Sequence, residues 1–171
     1  MMYSCAPAGG SSRSLKTVKT KKRGSLRIDI HCHYFNPDAA AKVAHLGPGD
    51  KEISGKWGNE LTRQVNEKQI RDRTPKLTSI EVRLKDMDRM GIDIQAVSPA
   101  PTQTYYWTEP GLGAEVARVV NERLADIVAK WPERFVGLGT IPLQDASLAV
   151  SELEFCVKKL GLSAPAPCAP T

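Results

Sequence analysis

His31 and His33 are the residues whose type and spacing best suit chemistry in this 171-residue chain. They close the stretch Leu26-Arg27-Ile28-Asp29-Ile30-His31-Cys32-His33, whose alternation predicts a single β-strand. Under a period of two, Arg27, Asp29, His31 and His33 share one face, and Leu26, Ile28, Ile30 and Cys32 share the other. Two neutral imidazoles one strand-step apart can hold one divalent metal from one side. The competing reading makes both histidines ordinary polar residues at a strand end, and spacing alone leaves the two open. The third histidine, His45, falls at the end of a predicted short helix and reads as exposed or locally hydrogen-bonded. Cys5, Cys32, Cys156 and Cys168 form no C-x-x-C pair. Cys32 and Cys156 fall on apolar faces and read as small buried hydrophobes in a reducing, cytoplasmic setting.

The scaffold around the histidines can be read from periodicity. Asn36-Pro37 suits a helix start, and that helix stops at Gly47-Pro48. Residues 47–77 read as a long polar loop. Thr78 with Glu81 forms a capping box, followed by Ile80, Leu84 and Met87 at helical spacing and a stop at Gly91. Strands are predicted at 92–98 and 135–141. Between them a helix carries Val116, Val120, Leu124, Ile127, Val128 and Trp131 on one stripe. After Asp145, a last helix turns Ala149, Leu153, Cys156, Val157 and Leu160 inward and ends at Gly161. Strands alternating with helices mean βα units on a parallel sheet. In a parallel barrel the polar face of the first strand suits the interior, which brings His31 and His33 to the C-terminal rim.

Composition sets limits on this picture. Hydrophobic residues make up 41% and charged residues 25%, as in an ordinary globular domain. The net charge of +5 is uneven: residues 1–25 hold six of the 24 basic residues and no acid. Residues 26–171 are then near neutral, so the basic balance belongs to a segment expected to be disordered, and no nucleic-acid partner is expected. No apolar run reaches the length of a membrane span or of a signal peptide, so a cytoplasmic protein is expected.

Three motifs together carry a family resemblance. Ile28-Asp29-Ile30-His31-Cys32-His33-Tyr34-Phe35, the segment Arg83–Asp93 and the segment Arg134–Gln144 resemble, in order, the first three units of the amidohydrolase-related metal-dependent decarboxylases. The resemblance covers residues 26–162. It implies a (β/α)8 TIM barrel, of which about the first three βα units are present, and a carboxy-lyase acting on a small, aromatic or muconate-type carboxylate. It implies a divalent metal, zinc first and manganese second, with His31 and His33 as ligands. It also places a carboxylate-clamping arginine in the first long loop, at Arg71 or, close by, Arg73. The residues Tyr105-Tyr106-Trp107 follow the second strand, where Trp107 either lines a planar substrate's pocket or packs the loop. A hydrolase of the same superfamily and a non-catalytic fragment with association-prone sheet edges are the alternatives.

The family's later ligands and its catalytic histidine have no counterpart here, because no histidine follows His45. No catalytic residue is therefore assigned in this chain. The stretch 163–171, with three prolines, is expected to be a non-family tail left by truncation or a change of frame, since proline cannot donate within a central strand.

Overall fold

The computed structural model describes residues 25–47 and 59–163. The basic segment at 1–24 and the tail at 164–171 lie outside the described residues. Three parallel strands form one sheet in the order β1-β2-β3: β1 (Ile28–Tyr34), β2 (Ile94–Pro99) and β3 (Phe135–Gly137). Between β1 and β2 run α1 (Pro37–Val43), a 3-10 turn (Ala44–Leu46), α2 (Glu60–Thr78) and α3 (Ile80–Met90). The crossover to β3 is α4 (Pro110–Lys130), and α5 (Ala146–Phe155) with a π-helical turn (Cys156–Leu160) follows β3. These are three consecutive βα units on one parallel sheet.

The core lies on the helix side of the sheet. Val97 and Phe135 from the strands meet Val116, Val120, Leu124 and Ile127 of α4, with Met87 and Cys156 closing the two ends. The stripe expected on α4 is this buried face. At Gly137 the backbone comes so close to Leu162 and α4 that an added Cβ would stand 2.5 Å from Leu162 Cδ2 and 3.2 Å from Val128 Cγ2. Gly137→Ala should therefore overpack the site and cost about 1–3 kcal/mol, read as a lower urea midpoint at unchanged slope.

Four expectations are corrected. The predicted loop at 47–77 is helical from Glu60 onward. Asn59 caps α2 by accepting from Thr62 N, and the helix is rich in Glu, Gln, Lys and Arg, which favour helix without any apolar stripe. Without an apolar stripe, periodicity does not distinguish such a helix from a polar loop. The cap of α3 is Ser79, not Thr78: its Oγ accepts from Val82 N and donates to Glu81 at 3.1 Å. The third strand stops at Gly137 rather than residue 141. Beyond it the side chain of Asn121 takes the place of a neighbouring strand, accepting from Thr140 N at 2.7 Å and donating to Thr140 O at 2.8 Å. In the last helix, Glu152 turns inward and Val157 is 51% exposed. The π-helical turn adds a residue to that turn and rotates the residues after it away from the expected stripe.

Ser163 N donates to Gly137 O at 3.0 Å, and Ser163 forms an isolated parallel bridge with Leu138. The chain thus steps into the position of a fourth strand before the described residues end.

Candidate metal centre

The first strand carries an irregularity that decides which side chains face together. Asp29 pairs with Gln95 and Cys32 with Val97, so Ile30 and His31 stand opposite the single residue Ala96. An extra residue in one strand reverses the alternation on one side of the bulge. Asp29 consequently shares the helix side with Gln95, which donates to it from Nε2 at 2.9 Å. This corrects the expectation that Asp29 shares a face with the histidines. Ile28 and Ile30, expected against the helices, are instead 52% and 77% exposed on the open face of the sheet.

His31 and His33 do face the same side. Their rings stand 5.0 Å apart, edge to face, with His31 exposed and His33 half-buried. Both lie at the C-terminal end of β1. The Nδ1 of His33 lies 3.0 Å from Pro99 O and 2.9 Å from Ser98 Oγ. A carbonyl oxygen only accepts, so Nδ1 carries the proton and Nε2 keeps its lone pair. The Ser98 hydroxyl is itself turned to donate to Cys32 O at 3.3 Å. Burial pulls His33 below the ordinary histidine pKa; the Pro99 hydrogen bond opposes this, and the charges of His31 and Arg83 add to it. A neutral imidazole with its tautomer fixed from behind is the form that ligates a metal, so this pair fits a divalent ion. Among the described residues no third His, Cys, Asp or Glu joins them in a group that could hold a metal.

The other residues singled out lie elsewhere. Arg71 is exposed on α2, six residues before Leu77, whose carbonyl accepts from Phe35 N at 3.0 Å. It therefore sits about 9 Å along the helix from the exit of β1. Arg73 is exposed on the same helix. Trp107 is half-buried beside Tyr105, ring centroids 6.1 Å apart, in the loop after β2. That loop is pinned on both sides. Gln103 exchanges two hydrogen bonds with the backbone of Asn36, at 2.6 and 2.7 Å, and Gln144 donates to Tyr105 O at 3.1 Å. His45 lies exposed in the turn after α1.

Cys156 is fully buried and Cys32 half-buried; both thiols are free. Burial pushes each thiol up to about 12. The thiolate is the reactive form, so at pH 8 only about one molecule in 10⁴ would carry it. Peptide mapping after iodoacetamide at pH 8 should find Cys156 unmodified in the folded chain and modified in urea.

The residues missed from sequence are those behind the strand. Ser98 and Pro99 had a signal, since they end β2 level with His33. Arg83 had one too: Ile80, Arg83 and Met87 share one helical face, and all three are buried. A charge on an apolar stripe marks a buried partner.

The sequence model of the amidohydrolase family matches residues 28–164, four fifths of the chain. The chain belongs to the amidohydrolase family. It is 29% identical over 139 residues to 2-amino-3-carboxymuconate-6-semialdehyde decarboxylase of Dictyostelium discoideum, an alignment covering 81% of this chain and 39% of that protein. The crystal structure of dihydroxybenzoic acid decarboxylase from Polaromonas sp. JS666, with bound manganese and the inhibitor 2-nitroresorcinol, is matched at 30% identity and a TM-score of 0.60. That match covers 82% of this chain and 37% of the other. The 5-carboxyvanillate decarboxylase of Sphingomonas paucimobilis aligns at 27% identity and a TM-score of 0.67, over 82% of this chain and 42% of that one. This amidohydrolase chain thus spans about two fifths of the relatives' length, and its three-stranded sheet is a part of their barrel fold. These three relatives are decarboxylases by name. No helix among its described residues is long and apolar enough to cross a membrane.

Proposed function

We propose that this chain supplies the metal-binding first strand of a metal-dependent, non-oxidative decarboxylase acting on a small aromatic or muconate-type carboxylic acid. The observation that carries the reading is the His31–His33 pair, with His33 Nδ1 engaged by Pro99 O and its Nε2 free. Zinc suits imidazole ligands, and manganese, which favours oxygen ligands more, stands in the Polaromonas relative. Such an ion, when bound, polarises a substrate oxygen and lowers the pKa of bound water. His31 and His33 hold it, Ser98 and Pro99 orient His33, and Trp107 offers a flat face to a planar acid. Arg71 is assigned to the substrate carboxylate, for which a guanidinium fork is matched in shape. Copies of the chain are proposed to associate through the open sheet edge. The free thiols of Cys32 and Cys156 support a cytoplasmic setting.

Taken alone, the 171 residues are proposed to bind metal weakly and not to turn over. A catalytic zinc site ordinarily has three protein ligands plus water, and two are assigned here. The test is a carbon dioxide release assay on two proteins loaded with manganese or zinc. One is the purified chain. The other is a chimera in which residues 26–163 replace the matching part of the Polaromonas decarboxylase. The chain should be silent, and the chimera should release carbon dioxide in a manner lost in His31→Ala. A folded, metal-loaded chimera that hydrolyses esters or lactones but releases no carbon dioxide would overturn the lyase reading.

A further inference from the structure

Behind the two histidines lies a hydrogen-bond circuit that the metal reading does not use, buried at Arg83 and Gln95 and exposed at its His31 end. Arg83, 7% exposed, donates from Nη2 to His33 O and, at 3.2 Å, to Lys76 O. Its Nη1 donates to Gln95 Oε1 at 3.2 Å. Gln95, 5% exposed, passes the interaction on, donating from Nε2 to Asp29 Oδ2 at 2.9 Å. The other carboxylate oxygen of Asp29 accepts from His31 N at 3.1 Å. The circuit therefore begins on the carbonyl of His33 and ends on the amide of His31.

The bulge explains why such a circuit is needed. It sets Ile30 and His31 against one residue of β2, and the extra residue of a bulge drops out of the ladder. A backbone N–H left without a ladder partner needs another acceptor. Asp29 supplies one to His31, and the bulge is what turns Asp29 to the helix side where Gln95 can hold it. The carboxylate in turn gives the buried Arg83 charge an opposite charge at the far end of the circuit. Gln95 fits between them because an amide presents an acceptor to the guanidinium and a donor to the carboxylate at once. Neither Glu nor Lys at this position could do both.

We propose that Arg83, Gln95 and Asp29 are positioning residues that lock the bulged backbone of β1, and through it the spacing of the His31 and His33 rings. The proposal rests on the reading of His31 and His33 as metal ligands only for its effect on metal affinity; the backbone lock is a property of the chain itself. Partners that orient metal ligands typically change affinity by about 10–100-fold when removed.

The test uses the full chain and the variant Gln95→Met, which keeps the volume of the side chain and cuts the circuit between Arg83 and Asp29. Arg83→Lys is the second variant, since a lysine can still reach a carbonyl but cannot span both His33 and Gln95. Two quantities are read on each: amide hydrogen exchange at His31, and zinc affinity by titration with bound zinc counted per folded molecule. In Gln95→Met, exchange at His31 should quicken by about 10-fold or more while that of Leu124 in α4 stays as in the parent. Zinc affinity should fall by about 10-fold. Unchanged exchange at His31 in both variants would overturn the lock. Faster exchange at His31 with unchanged zinc affinity would overturn its role in setting the rings. A parent chain that binds no zinc would sink the metal reading, while the exchange measurement would still decide the lock.

Discussion

Arg118→Met should lower the unfolding free energy of the chain by about 3 kcal/mol, because it strands a buried carboxylate. Glu152 is 3% exposed on α5, and its Oε2 accepts from Arg118 Nε at 2.9 Å and Nη2 at 2.8 Å. Its Oε1 accepts from Asn121 Nδ2 at 2.8 Å. The guanidinium also lies 3.5 Å over the ring of Phe155. Removing one partner of a buried pair costs about 3–5 kcal/mol, since the other charge is left without compensation. The low end applies because the Arg118 side chain is 37% exposed, so water can reach the gap. Urea unfolding checks the value. The double change Arg118→Met with Glu152→Leu should recover most of the loss, since no charge then remains buried and Asn121 Nδ2 keeps its bond to Thr140 O. A single variant as stable as the parent would show that the pair contributes nothing, as many exposed ion pairs do.

His33→Ala should weaken zinc binding by more than about 100-fold, beyond the range that loss of a mere orienting partner produces. The two rings stand 5.0 Å apart on one side of the sheet, and no third ligand is gathered with them among the described residues. With one imidazole gone, a single exposed histidine at His31 is left. Ser98→Ala should act more gently, since Pro99 O still fixes the tautomer from 3.0 Å. His45→Ala should titrate like the parent, because His45 lies exposed in the turn after α1. Competition titration with a zinc-responsive dye separates the variants.

The parts of the fold that alternation and capping rules describe were readable from sequence. Gly91 at φ +71 ends α3, Asn36 and Asp145 cap their helices, and the α4 stripe is buried as its spacing requires. What escaped is what one residue can change. The bulge at Ile30–His31 has no glycine or proline to mark it, yet it moves Asp29 to the far side of the sheet. The π-helical turn at Cys156 likewise displaces Val157. Helix α2 escaped for a different reason. It buries almost nothing, so propensity and the Asn59 cap hold it where no pattern of burial could announce it. The two histidines could be placed on one face from spacing, and that survives the bulge because the faces are exchanged only on its N-terminal side, while the step from His31 to His33 stays regular. The groups that orient His33 were only partly readable: the end of β2 points to Ser98 and Pro99, but which of their atoms meet the ring depends on the β1–β2 register.

X-ray absorption at the zinc edge of the loaded 171-residue chain tests the metal centre most directly. Two imidazole nitrogens at about 2.0–2.1 Å, with the remaining positions filled by oxygen, are the predicted shell, and one imidazole should vanish in His33→Ala. A shell containing sulfur at about 2.3 Å, or one that is the same in parent and His33→Ala, would contradict the assignment of His31 and His33 as the ligands.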